Sequence, residues 1–119
     1  PDAKPAVIEA AYRRLLKDRE ILGNLDAIRK AGSAVEYRAV DVRDAKAFGA
    51  LLDELTAAGL TGVIHGAGVI EDKLLRDKTP ESFDRVFGTK VDSAMTLVRH
   101  LDPAKIKFLS VFASITSRY

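Results

Sequence analysis

Two short, nearly continuous apolar runs, TGVIH at residues 61–65 and KFLSVF at 107–112, lie either side of a long stretch of helical period. Such runs read as strands covered on both faces, the situation of a parallel sheet. Parallel neighbours cannot be joined by a tight turn; they need a crossover of a dozen or more residues, usually a helix. Thr79-Pro80-Glu81 opens that crossover with a capping hydroxyl, a proline in the first turn and an acid facing the helix dipole. From there Phe83, Val86, Phe87, Val91, Ala94, Met95, Val98 and Leu101 form an apolar stripe, and the helix finishes near Arg99-His100.

The same alternation runs upstream. Residues 35–40 (VEYRAV) alternate in polarity and carry β-formers, which predicts a strand with one face partly solvated. Asp44 is placed to cap the next helix, whose Phe48, Leu51, Leu52 and Leu55 form a stripe and which Gly59 ends. Before these, Ile8, Ala11, Tyr12, Leu15 and Leu16 predict a helix from Pro5 onward. Leu25 and Ile28 predict a second, short helix closed near Ala31-Gly32. Residues 1–33 are thus a helical lead-in, and 34–119 a strand–helix–strand–helix–strand portion. The fold class is α/β, a parallel sheet with right-handed crossovers.

Composition removes several function classes. Nineteen Lys and Arg against seventeen Asp and Glu leave a net charge of +2, too little for a nucleic-acid-binding arm. No apolar run approaches the roughly 18–20 residues that span a bilayer, and no signal peptide is present, so no membrane partner is expected. Cysteine is absent, which excludes disulfides and thiolate metal sites; His65 and His100 lie far apart and form no ligand cluster. The cytoplasm is the default compartment. The sequence begins at Pro1 without Met and stops at Tyr119 just after an apolar run, and so reads as an excerpt of a larger domain.

In an open parallel sheet, ligands bind beyond the carboxyl ends of the strands. Three places in this chain occupy that edge: Asp41-Val42, His65-Gly66-Ala67-Gly68 and Ala113-Ser114. Asp41 is either a turn-forming loop residue or an acceptor for an amino group such as that of adenine. The glycine-containing segment lets backbone approach a ligand, although a tight turn would also select glycine. His65 reads as a hydrogen-bonded structural residue rather than a base, since no Ser, Cys or Asp adjoins it. Lys90 lies three residues after Phe87 and four before Ala94, so it projects from the apolar stripe. A lysine there snorkels, pairs with an acid or serves a site. Gly88, two residues earlier, costs about 1 kcal/mol relative to alanine inside a helix, which implies that something packs closely against it. Ser114 ends a strand either as a turn former or as a hydroxyl that orients a carbonyl substrate; no G-x-S-x-G elbow surrounds it.

Three segments taken together, GVIHGAGVIEDKLL (62–75), FDRVFGTKVD (83–92) and FLSVFAS (108–114), resemble the ketoreductase domains of modular polyketide and polyunsaturated fatty-acid synthases, within the short-chain dehydrogenase/reductase superfamily. The resemblance runs from about Val35 to Tyr119. It implies a Rossmann-like doubly wound sheet of which this chain supplies the third to fifth strands, with the first two lying between the third and fourth. It further implies NADPH as cofactor and an acyl-carrier-protein-bound β-keto thioester as substrate, reduced by hydride transfer. Asp41 and Val42 match the pair that contacts the adenine. His65, Ala67 and Gly68 match the strand-end turn at the cofactor, with Ala67 and Gly68 beside the nicotinamide ribose. Lys90 matches the lysine that touches the cofactor and lowers the pKa of the proton donor, and Ser114 the serine that hydrogen-bonds the ketone oxygen. Ile70-Glu71-Asp72 falls where some members carry Leu-Asp-Asp, a marker of one stereochemical class of product.

Two family features have no counterpart in this chain: the glycine-rich pyrophosphate turn, and a donor tyrosine about a dozen residues after the serine. Tyr119 follows Ser114 by only five residues and is not assigned that role. The expectation is therefore a parent enzyme whose isolated 119-residue segment is inactive and does not fold as a stable monomer, because the remainder of the ketoreductase domain is its natural partner. The alternatives are a non-catalytic copy that braces an active ketoreductase, and a small independent α/β binding domain.

Overall fold

The computed structural model describes residues 4–113. The chain divides into two units, Pro1–Ala39 and Val40–Tyr119.

The first unit is built on helix α1, Pro5–Lys30. Proline occupies its first turn, and Arg29 and Lys30 in its last turn complement the helix dipole. Gly32, at φ 87°, closes it in the left-handed conformation. The two helices expected here are one, running unbroken through Gly23. A single internal glycine weakens a helix without ending it, and the i,i+4 pair Glu9–Arg13 (2.8 Å) supports the first half. No residue of α1 is buried. Residues 35–40 do not form the expected strand. Alternating polarity provides a strand's two faces, but a strand also needs another strand alongside it, and among the described residues the sheet consists of two other strands only.

The second unit begins with helix α2, Ala45–Ala57. The Asp44 carboxylate accepts hydrogen bonds from the Lys46 and Ala47 amides, at 3.1 and 3.0 Å, and so caps the helix as its sequence predicts. Gly59, at φ 93°, ends the turn after it. Replacing the cap, Asp44→Ala, is expected to cost about 1 kcal/mol of stability in chemical denaturation of the full-length protein; an unchanged midpoint would show that α2 is held by packing alone.

Strands β1, Gly62–His65, and β2, Phe108–Val111, pair in parallel with Gly62 opposite Phe108 and His65 opposite Val111. They are neighbours, as the fourth and fifth strands of a doubly wound sheet would be. The crossover between them contains helix α3 (Pro80–Phe87), a π-helical turn (Gly88–Asp92) and helix α4 (Ser93–His100). Thr79 caps α3 by accepting from the Ser82 amide at 3.2 Å.

The core is formed by Phe48 and Leu52 of α2 against Leu97 of α4, joined by the partly buried Val40, Val42, Val63 and Leu101. His100 donates from Nδ1 to Asp53 at 2.8 Å and ties the end of α4 to α2.

Two expectations about burial are corrected. The strands are not covered on both faces: Ile64 is 66% exposed, and every residue of β2 is exposed. The apolar stripe of the crossover, including Phe83, Met95 and Val98, also faces outward. Its buried side is Gly88, Thr89, Ser93, Thr96 and Leu97. Thr89, Ser93 and Thr96 each donate to the carbonyl four residues earlier (2.6, 2.6 and 3.0 Å), so these hydroxyls are satisfied within the helix and can be buried without outside partners. Among the described residues no helix is long and apolar enough to cross a membrane.

Candidate functional site

At the carboxyl end of the sheet, three residues close a ring of hydrogen bonds. The Phe112 amide donates to the His65 carbonyl at 3.0 Å, continuing the β1–β2 ladder past its last pair. The Lys90 ammonium donates to the Phe112 carbonyl at 2.7 Å. The Lys90 carbonyl in turn lies 3.3 Å from Nε2 of His65. Lys90 thus neither snorkels away nor pairs with an acid. Its four-carbon stem crosses from the π turn to the end of β2 and places a full positive charge beside the residue pair that precedes Ser114. Ser114 itself lies outside the described residues.

Gly68 lies against this arrangement: a Cβ at that position would touch Nζ of Lys90 at 3.4 Å and Cε at 3.5 Å, ordinary van der Waals contact. The reading of Gly88 is corrected. The nearest atom to a Cβ there is Asp92 Oδ2 of its own turn, at 3.3 Å, and no other element presses on it.

The remaining predicted positions fall into two groups. Val42, His65 and Ala67 come together around one hollow of about 370 Å³ beside the core residues Phe48, Leu52 and Leu97. Asp41, by contrast, is exposed and held by its neighbour Arg43 in a two-toothed ion pair, with contacts from 2.7 to 3.2 Å. That guanidinium holds the Asp41 carboxyl at about 2, so it is an ionised acceptor at neutral pH. His65 is 4% exposed, and its ring is turned toward the helix rather than outward.

One anchor escaped the sequence reading. Glu71, considered only for its place in a stereochemical motif, docks the loop after β1 onto α3. Arg85 donates to it twice, at 2.6 and 2.9 Å, and the Ser82 hydroxyl once, at 2.6 Å. Nothing local signals this contact, since Arg85 lies fourteen residues away. The Arg85 hydrogen bonds, reinforced by Ser82, pull the Glu71 carboxyl from its ordinary 4.5 down to about 2. A group depressed on folding stabilises the folded state above its unfolded value and loses that contribution as pH falls through the folded one. Docking of this loop is therefore expected to persist to pH 4.5 and to be lost between there and about 2. Carboxyl-carbon NMR titration of Glu71 checks this; a midpoint near 4.5 would contradict the ion pair.

Residues 10–119 match the sequence profile of the KR domain. One of the polyunsaturated fatty acid synthase subunits of Thraustochytrium sp. is 30% identical over 118 residues, which are 97% of this chain and 4% of that protein. A 6-methylsalicylic acid synthase of Arthrobotrys oligospora is 33% identical over 100 residues, 82% of this chain and 6% of that protein. The chain therefore spans a small part of each of these curated relatives. Among solved structures, the ketoreductase from the first module of phoslactomycin biosynthesis in Streptomyces sp. HK803 superposes with a TM-score of 0.71 at 32% identity, over 80% of this chain and 22% of that one.

Proposed function

Since this chain belongs to the KR domain family, the family of synthase ketoreductases, we propose that it forms part of an NADPH-dependent reductase. The substrate in this reading is a β-keto thioester on an acyl carrier protein, and the product its β-hydroxy thioester. The observation that carries the reading is the position of Lys90, whose ammonium is fixed at 2.7 Å on the Phe112 carbonyl, two residues short of Ser114.

NADPH, when bound, supplies the hydride. Asp41 and Val42 would hold its adenine, and Ala67 and Gly68 its nicotinamide ribose. The residues fit such a group in two respects: Asp41 is an exposed, ionised acceptor, and Gly68 presents no side chain beside Lys90. The chain's own chemistry is then electrostatic. Ser114 donates to the ketone oxygen, and the Lys90 charge favours negative charge developing on that oxygen during reduction. Because its Nζ is already held, little reorganisation is needed when the charge appears.

Fluorescence titration of the full-length protein with NADPH tests the reading. Saturable binding that NADP⁺ displaces is expected. Absence of binding would overturn it in favour of a bracing, non-catalytic copy.

A further inference from the structure

We infer that His65 is a positioning residue for Lys90, acting through the backbone of the π turn; this rests on the role proposed for Lys90. The ring nitrogen Nε2 of His65 lies 3.3 Å from the Lys90 carbonyl and 3.0 Å from Ser93 Oγ. The Ser93 hydroxyl has a single proton, and it is donated to the Thr89 carbonyl at 2.6 Å. Toward His65 that oxygen can therefore only accept, as the carbonyl must. Both contacts require a proton on Nε2, so the geometry selects the Nε2–H tautomer.

The location of this donor explains its use. A π turn widens the helix by one residue per turn and disturbs the regular carbonyl ladder; such turns recur at functional sites. Here the turn carries Lys90, and the Ser93 amide reaches back to the Gly88 carbonyl across it. Polar atoms buried at the turn need partners. Ser93 is fully buried and His65 4% exposed, so water offers little substitute. The imidazole N–H thus braces the turn from the end of β1. The same residue's carbonyl receives the Phe112 amide, and the Phe112 carbonyl receives Lys90 Nζ. His65 accordingly fixes both ends of the lysine: the backbone from which it springs and, through Phe112, the acceptor on which it rests.

The test compares three substitutions in the full-length protein, assayed for reduction of a β-keto thioester with NADPH. Gln places an N–H where His has Nε2, Asn places one only where His has Nδ1, and Leu has none. His65→Gln is expected to keep kcat within about threefold. His65→Asn and His65→Leu are expected to lose roughly ten- to a hundredfold in kcat, with KM changed by less than about twofold, as a misplaced catalytic group does. Equal activity for Gln and Asn variants, or a loss that appears in KM alone, would overturn the inference. Lys90→Met, run alongside, separates the levels. If it leaves kcat intact, the role of Lys90 fails and this inference with it. If it collapses kcat while all three His65 variants retain activity, only the His65 inference fails. Nitrogen-15 spectra of histidine-labelled wild-type protein, assigned by difference from His65→Gln, supply a readout that does not depend on the less conservative variants folding. An Nε2–H signal is expected, and an Nδ1–H signal would overturn the assignment.

Discussion

Lys90→Met in the full-length protein is expected to lower kcat for β-keto thioester reduction by about 10²–10³-fold, a loss of roughly 2.7–4 kcal/mol of transition-state stabilisation, with KM for the thioester nearly unchanged. Methionine keeps much of the length and apolar character of the stem, so the outward stripe of α3 and α4 and the hollow beside Val42 should be undisturbed. What disappears is the donor on the Phe112 carbonyl and the positive charge at the end of β2. An interaction that matters mainly as negative charge develops shows itself in kcat and kcat/KM alike, whereas a substrate-binding contact would raise KM. Steady-state kinetics with the melting temperature measured in parallel decide the matter. A variant that melts like the wild type and still turns over at more than about a tenth of its rate would remove Lys90 from the chemistry.

The second large effect concerns folding. The 119-residue chain produced alone is expected to show no cooperative thermal transition by circular dichroism and to sediment as aggregates. Among the described residues of the second unit the buried apolar ones are Phe48, Leu52 and Leu97, while Phe108, Leu109 and Val111 of β2 and the adjoining Phe112 remain exposed. Two strands are too few for independent stability unless other elements cover them. Among the described residues each strand also has an outer edge with unpaired backbone groups, which invites pairing with another chain. Joining it to the further strands that a complete KR domain would place beside these two should give a sharp transition. A cooperative melt with monomeric sedimentation of the bare 119-mer would contradict this account of its core.

Features set by neighbours along the chain are legible in the amino-acid sequence. The caps Asp44 and Thr79, the stops at Gly32 and Gly59, and the positions of β1 and β2 all follow from local chemistry, and each forms where its residues place it. Features set by distant partners are not legible there. Residues 35–40 have the alternation of a strand, yet no other strand runs alongside them among the described residues. The apolar stripe of the crossover has the pattern of a buried face, yet the hydroxyls Thr89, Ser93 and Thr96, satisfied within the helix, occupy that side instead. A helical spacing of small hydroxyl residues is visible in the sequence and could have signalled this. The π turn leaves no trace in the sequence, because its bracing comes from a histidine twenty-five residues earlier. Lys90 stands out in the sequence as a cation on an apolar stripe; only the structure shows that its charge ends on the Phe112 carbonyl. Glu71 is the reverse case, a residue noted in a motif whose visible work is to tie a loop to Arg85 and Ser82.

In the proposed function, the carboxyl edge of β1 and β2, with Lys90 held across it, belongs to a site that reduces a β-ketone. This is decided by following NADPH absorbance while the full-length protein acts on a β-ketoacyl thioester carried on acyl carrier protein, with the acyl product identified by mass spectrometry. One NADPH is expected to be consumed for each β-hydroxyacyl thioester formed. NADPH that stays unoxidised, with the β-ketoacyl group recovered unchanged from a well-folded protein, would contradict it.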